Sequence, residues 1–376
     1  MTSLADALET RRIILCVGSG GVGKTTTAAA LALEAARRGR RTAVLTVDPS
    51  HRLKDALGLG TLGGRPSRVS LASIGARGAH LDALLLDVKR TFDELVHALA
   101  ATPEQARAVL ENRLYQNLSG TLAGTAEYMA VEQVYRLAAE GGYDLLVVDT
   151  PPAHHAVDFL DAPRRLANLL DSRAFAILKD PTSILPAAGS RLAHLILTAV
   201  LRGLERFTGI GMVREVGDFV RVIEALTGAL RERVRAVGAL LGSPGTMPLL
   251  VTAPESHLVA ETEALVRGLG AIGLSIHGIV VNRALPRATF GSAATDPGPP
   301  EGASGALAAR LAAGYAELRA LGARQEATLA PLVASARAPV LAEVPLLSTA
   351  PGSLADLAAL ARHLVLDPGR AAAVGV

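Results

Sequence analysis

Short apolar, β-branched runs alternate along this chain with longer stretches rich in Ala, Leu and Arg, whose apolar residues recur every three or four positions. Runs of the first kind have the length of buried strands and those of the second have the period of helices. Their alternation predicts an α/β fold, a doubly wound and mainly parallel sheet covered by helices on both faces. Strands are predicted over 12–17, 42–47, 144–148, 248–252, 277–281 and 340–344, and a first helix from Lys24 to Arg38 that stops at Gly39, a natural C-terminal cap.

The spacing of the strands is uneven. About a hundred residues separate 148 from 248, far more than one crossover helix requires. Residues 159–241 read as amphipathic helices broken near Asp180-Pro181 and Thr208-Gly209, and are expected to form an inserted helical subdomain. The core is then split into 1–158, which includes a helical block over 81–139, and 242–376. From 286 to 304 the sequence turns Pro-, Gly-, Ala- and Ser-rich without periodicity, which predicts a flexible loop.

Composition narrows the function classes. Half of the residues are apolar, enough for a sizeable core, and the net charge of +3 over 376 residues leaves no basic stripe. Trp is absent and aromatics make up 3%, so stacking platforms are scarce and no nucleic-acid partner is expected. Cys16, the single cysteine, lies in the first predicted strand as a small core residue, and no disulfide or C-x-x-C zinc pair can form within the chain. The first residues lack a signal-peptide core, and the apolar region at 192–200 is too short for a membrane span, so the expectation is a soluble cytoplasmic protein with no transmembrane segment.

The chemistry is concentrated where strands end. Gly18-Ser19-Gly20-Gly21-Val22-Gly23-Lys24-Thr25-Thr26 follows the first strand and opens the first helix. The pattern G-x-x-x-x-G-K-[ST] in that setting is a phosphate-binding loop, in which glycines turn backbone N–H groups inward on a polyphosphate at the positive end of a helix. Lys24 is placed to reach the β and γ phosphates of ATP and the Thr25 hydroxyl to hold Mg²⁺. Asp48 and Asp149 follow the second and third predicted strands on the same edge. Asp149 is either a Mg²⁺-holding acid or a turn aspartate. Asp48 either belongs to the metal site and orients or deprotonates the attacking water, or caps a turn. His154-His155 is not expected to bind metal, because adjacent residues rarely converge on one ion.

Gly-Gly-Val-Gly-Lys-Thr-Thr, then Asp48-Pro-Ser-His-Arg-Leu53, then Asp149-Thr-Pro-Pro-Ala-His154 resemble the deviant Walker A, switch I and switch II of the arsenite-pump/guided-entry ATPase family. Val251-Thr-Ala-Pro-Glu255, Ile279-Val-Val-Asn282-Arg283 and Glu343-Val-Pro345 extend the resemblance. It implies a Mg²⁺-dependent ATPase acting as a dimeric switch. Asn282 and Arg283 would lie at the adenine, Glu255 at the nucleotide across the dimer, and Pro345 against the base.

Three departures limit that likeness. Ser19 stands where the family's signature lysine reaches the partner subunit's phosphates, and a hydroxyl supplies no cationic contact. The zinc clasp and the thiolate arsenite site are both impossible with one cysteine. A single phosphate loop implies a dimer of separate chains. Either a homodimer uses another cation, such as Arg52 or Arg283, or the chain pairs with a related ATPase subunit that keeps the lysine. The inserted helices either line a groove for a hydrophobic protein client or pack as ordinary core, which the chain's four methionines favour. Two rival readings are a nucleotide-binding scaffold that hydrolyses little and a partitioning-type ATPase.

Overall fold

The computed structural model describes residues 3–50, 52–112, 116, 125–172, 211–296, 298, 304–347, 349 and 351–365. Its strands are β1 (Ile13–Val17), β2 (Thr42–Thr46), β3 (Ser67–Arg68), β4 (Leu81–Leu85), β5 (Leu145–Asp149), β6 (Thr246–Thr252), β7 (Gly278–Ala284) and β8 (Val340–Pro345). They form one sheet in the order β3-β4-β2-β5-β1-β6-β7-β8. Every neighbouring pair is parallel except β3 with β4. This is the predicted α/β fold, a doubly wound and mainly parallel sheet. β1, β2, β5 and β6 are buried along their whole length, as strands covered on both faces must be, so they read as continuous apolar runs.

Register fixes the working edge. Asp149 at the end of β5 pairs with Cys16 of β1 on one side and with Thr46 of β2 on the other. The ends of three parallel strands therefore open on one crevice, where ligands of such sheets bind. The helix Lys24–Arg37 follows β1 and lies against β2 and β5. Its Ala28, Ala29, Ala30, Ala32, Ala35 and Ala36 are all fully buried, and their small side chains let the helix settle deep on the sheet. Gly39, at φ +90°, lies just past its end.

The chain divides into two compact units, Met1–Leu86 with Arg136–Val157 and Gly242–Val376, and Asp87–Tyr135 with Asp158–Leu241. The first holds the sheet. The second is helical where described, and its helices Val88–Leu99, Pro103–Leu110 and Gly211–Leu241 share a cluster of Val96, Ala106, Val109 and Leu226. Within it Arg233 lies over the Tyr135 ring, 4.7 Å from its centre.

One expectation is corrected. Residues 81–139 do not form a helical block from their start, because Leu81–Leu85 is a strand. Its leucines and alanine carry a helical propensity, and parallel pairing with β2 overrides it. Of the stretch 286–304, Arg287–Phe290 forms a short helix, and 297 and 299–303 lie outside the described residues. The helix breaks expected near 180 and 208, the apolar region 192–200 and His51 also lie outside them. Among the described residues no helix is long and apolar enough to cross a membrane.

β4 contains one charge, Asp82, which is 6% exposed. Arg68 Nε donates to Oδ1 at 2.6 Å, and Tyr143 donates to Oδ2 at 2.8 Å, with His80 Nε2 3.0 Å from the same oxygen. Burial opposes the carboxylate, but the bonds from Arg68, Tyr143 and His80 together hold its pKa below the usual value of 3.8. A depressed acid stabilises the fold above its unfolded pKa, and that contribution is lost as pH falls below it. Asp82→Asn is therefore expected to cost about 1–3 kcal/mol at neutral pH. Urea midpoints should show that gap constant down to about pH 5 and closing as the pH is lowered towards 3.

Candidate functional site

The loop between β1 and the helix Lys24–Arg37 is shaped by two glycines that nothing else can replace. A Cβ on Gly18 would lie 2.1 Å from the Val251 carbonyl oxygen. One on Gly23, at φ +96°, would lie 2.2 Å from Asn282 Nδ2. The loop is thus pressed against the ends of β6 and β7. Asn282 Nδ2 ties it there by donating to the Val22 carbonyl at 2.8 Å, while Asn282 Oδ1 accepts the Arg283 N–H at 3.0 Å.

Lys24 is buried, and its ammonium donates to the carbonyls of Gly18 at 3.0 Å and Ser19 at 2.8 Å. Burial lowers its pKa, and the neighbouring Asp149 opposes that shift. Asp149 is 1% exposed. Thr25 and Thr46 both donate to its Oδ2, at 2.7 and 2.9 Å. Its Oδ1 is buried with no hydrogen-bond partner among the described residues. Burial raises the Asp149 pKa to about 6 against the pull of these two hydroxyls and of Lys24. The Thr46 hydroxyl also accepts the Asp48 N–H at 3.2 Å, so β2 links the two acids. Asp48 Oδ1 accepts the Ser50 N–H at 2.9 Å, a turn-capping bond that uses one of its two oxygens.

A cleft of about 190 Å³ lies over these groups. Its walls are Gly20, Gly21 and Gly23 with Lys24, Thr25 and Thr26 on the loop side, Asp48 and Arg52 after β2, and Asp149, Thr150 and Pro152 after β5. Gly18, Ser19 and Val22 are loop residues that do not line it. Ser19 is fully buried, with its hydroxyl 3.3 Å from that of Thr262. Glu255 and Arg283 form an ion pair at 2.7 Å, also outside the lining. Arg283 sits at φ +57°, a left-handed conformation costly for a side-chain-bearing residue. Pro345 ends β8, in register with Ala284 of β7.

Sequence reasoning passed over Thr46, and gave Thr150 and Pro152 no role of their own beyond the segment that follows Asp149. Thr150 locks the end of β5 to β1 by donating to the Cys16 carbonyl at 2.8 Å. The one signal for Thr46 was its position at the end of a strand on the same edge as Asp149.

Hydroxyl and carboxylate oxygens in this cleft suit a hard divalent cation. Among the described residues no group of three or more His, Cys, Asp and Glu is arranged to hold a metal. A cation here would therefore take its remaining oxygens from water and a bound polyphosphate, as Mg²⁺ characteristically does, and the unpartnered Asp149 Oδ1 fits that role.

The sequence model of the anion-transporting ATPase family matches residues 11–293. The chain belongs to that family. It is similar to the ATPase GET3 of Phaeosphaeria nodorum, 27% identical over 279 residues that cover 74% of this chain and 78% of that protein. The ATPase get3 of Aspergillus terreus is 28% identical over 279 residues, 74% of each chain. The ATPase ASNA1 homolog 1 of Paramecium tetraurelia is 25% identical over 286 residues, 75% of this chain and 78% of that one. Family membership makes the protein an ATP-hydrolysing enzyme.

Proposed function

We propose that the cleft between the loop and the ends of β2 and β5 binds MgATP, and that hydrolysis there drives a dimeric conformational switch. The observation that carries this reading is Asp149, held by two threonine hydroxyls on one oxygen and left without a partner on the other, 1% exposed beside the Lys24 ammonium. Its two hydroxyl donors and Lys24 offset only part of the cost of burying this acid, and a bound cation would complete its environment.

In this reading the loop N–H groups and Lys24 hold the phosphates, and Lys24 exchanges its two carbonyl acceptors for phosphate oxygens. Thr25 and Asp149 hold the metal, which when bound neutralises charge developing on the phosphates. Asp48, whose second oxygen is not used by the turn, positions the water, and Thr46 keeps it in register with Asp149. Asn282 buttresses the loop, and its remaining amide N–H is available to the adenine. Arg283, Glu255 and Pro345 lie nearby as the base-side wall. Gain and loss of the γ-phosphate at Asp48 and Asp149 moves the segments that follow them, and so changes what the dimer holds. A homodimer, or a pair with a related ATPase subunit, and a hydrophobic protein client in the cytoplasm complete the proposal.

The scaffold reading has one observation in its favour, the burial of Ser19 against Thr262. Asp48→Asn separates the two. The switch predicts turnover at least about 100-fold lower with ATP still bound, a loss typical of removing one catalytic positioning group. Phosphate release equal in the wild type and Asp48→Asn would favour the scaffold.

A further inference from the structure

The cleft contains two carboxylates, Asp48 and Asp149, and two cations, Lys24 and Arg52. Without Arg52 the lining side chains alone, before any cation binds, would carry a net negative charge, which disfavours a polyphosphate. Arg52 opens the short helix Arg52–Ala56, in the segment that follows β2 and contains Asp48. It is exposed, and no ion pair or hydrogen bond joins its guanidinium to another of the described residues. The neighbouring cations differ. Lys24 is buried and bonded to two loop carbonyls. Arg283 is paired with Glu255 at 2.7 Å outside the cleft, and Lys54 lies 3.7 Å from Asp55. Ser19 cannot contribute charge, and its side chain is turned into the core onto Thr262.

We infer that Arg52 is the catalytic cation of this chain, contacting the terminal phosphate of ATP in cis and doing so where the loop offers serine in place of lysine. The inference rests on the cleft being the nucleotide site. In hydrolysis the water oxygen bonds to the γ-phosphorus as the bond from that phosphorus to the bridging oxygen breaks. The electron pair leaves with ADP, and the water proton passes to the phosphate product. Arg52 makes and breaks no covalent bond. It neutralises charge on the transferring group, and its planar fork suits two phosphate oxygens at once. Because it belongs to the segment that contains Asp48, its contact with the γ-phosphate also draws that segment onto the nucleotide, and loss of the phosphate releases it.

The test titrates ATP and ADP, each with Mg²⁺, into the full-length wild type, Arg52→Ala and Arg52→Lys, and measures turnover of all three. Arg52→Ala is expected to lose about a hundred-fold or more in turnover, and to bind ATP at least about ten-fold more weakly, the loss of one charge-assisted contact. Its ADP affinity should stay within about two-fold of the wild type, since ADP lacks the contacted group. Arg52→Lys should recover part of the turnover, having charge without the fork. Wild-type ATP affinity and turnover in Arg52→Ala would overturn the inference while leaving the site in place. So would an equal loss of ATP and ADP, which would put Arg52 elsewhere on the nucleotide or in the fold. A wild type that binds neither nucleotide in the cleft would overturn the site itself.

Discussion

Asp149→Asn is expected to lower ATP turnover by about a hundred- to a thousand-fold while raising the melting temperature of the ligand-free protein. The two effects have opposite signs for one reason. The carboxylate is 1% exposed, has an oxygen with no partner, and burial raises its pKa to about 6. An acid raised in this way contributes stability below its usual pKa of 3.8, and that contribution is lost as pH rises through about 6. At pH 7.5 the ligand-free fold therefore bears a buried charge that asparagine removes at nearly constant shape. The amide oxygen can still accept from Thr25 and Thr46. A rise of a few degrees is expected in chelator, on the order of 1 kcal/mol, and the gap between the proteins should close as the pH is lowered from 7 towards 4. With Mg²⁺ and ATP the order should reverse, because only the carboxylate can complete the cation's environment. Unchanged turnover, or a lower melting temperature without ligand, would remove Asp149 from the metal role.

Much of this arrangement was legible in the chain because it depends on local pattern. β1, β2, β5 and β6 are apolar runs buried on both faces, and their predicted ends fall within two residues of the observed ones. The phosphate loop was legible because its glycines, lysine and threonine stand in fixed succession between a strand and a helix. β4 was not, since Leu81-Asp-Ala-Leu-Leu85 lacks both β-branched residues and alternation, and its pairing with β2 is what makes it a strand. Two-residue β3 is too short for any period to show.

What the sequence left open concerned contacts between distant residues. Thr46 meets Asp149 across 103 positions, and Ser19 meets Thr262 across 243. Neither threonine has a local signature. Arg52 and Arg283 were equivalent as candidate cations until tertiary structure gave Arg283 to Glu255 and left Arg52 in the cleft. Asn282 has a structural duty that its motif position did not show, since it fastens the Val22 carbonyl and packs where a Cβ on Gly23 would stand.

Lys24→Ala offers the second large effect and the most direct check on the cleft as the place where ATP binds. The ammonium is buried at the head of the helix, held by the Gly18 and Ser19 carbonyls at 3.0 and 2.8 Å. A phosphate would replace those neutral acceptors with charged ones, and charge-assisted bonds contribute about 1.5–3 kcal/mol each. Losing the amine should weaken ATP by about a hundred-fold. The fold should persist, because the loop remains tied through Asn282 to Val22 at 2.8 Å. The measurement is calorimetric titration of ATP with Mg²⁺ into the wild type and into Lys24→Ala. The account predicts one nucleotide per chain in the wild type and an affinity about a hundred-fold weaker in the variant. Equal affinities in the two proteins would contradict it and place the nucleotide outside this cleft.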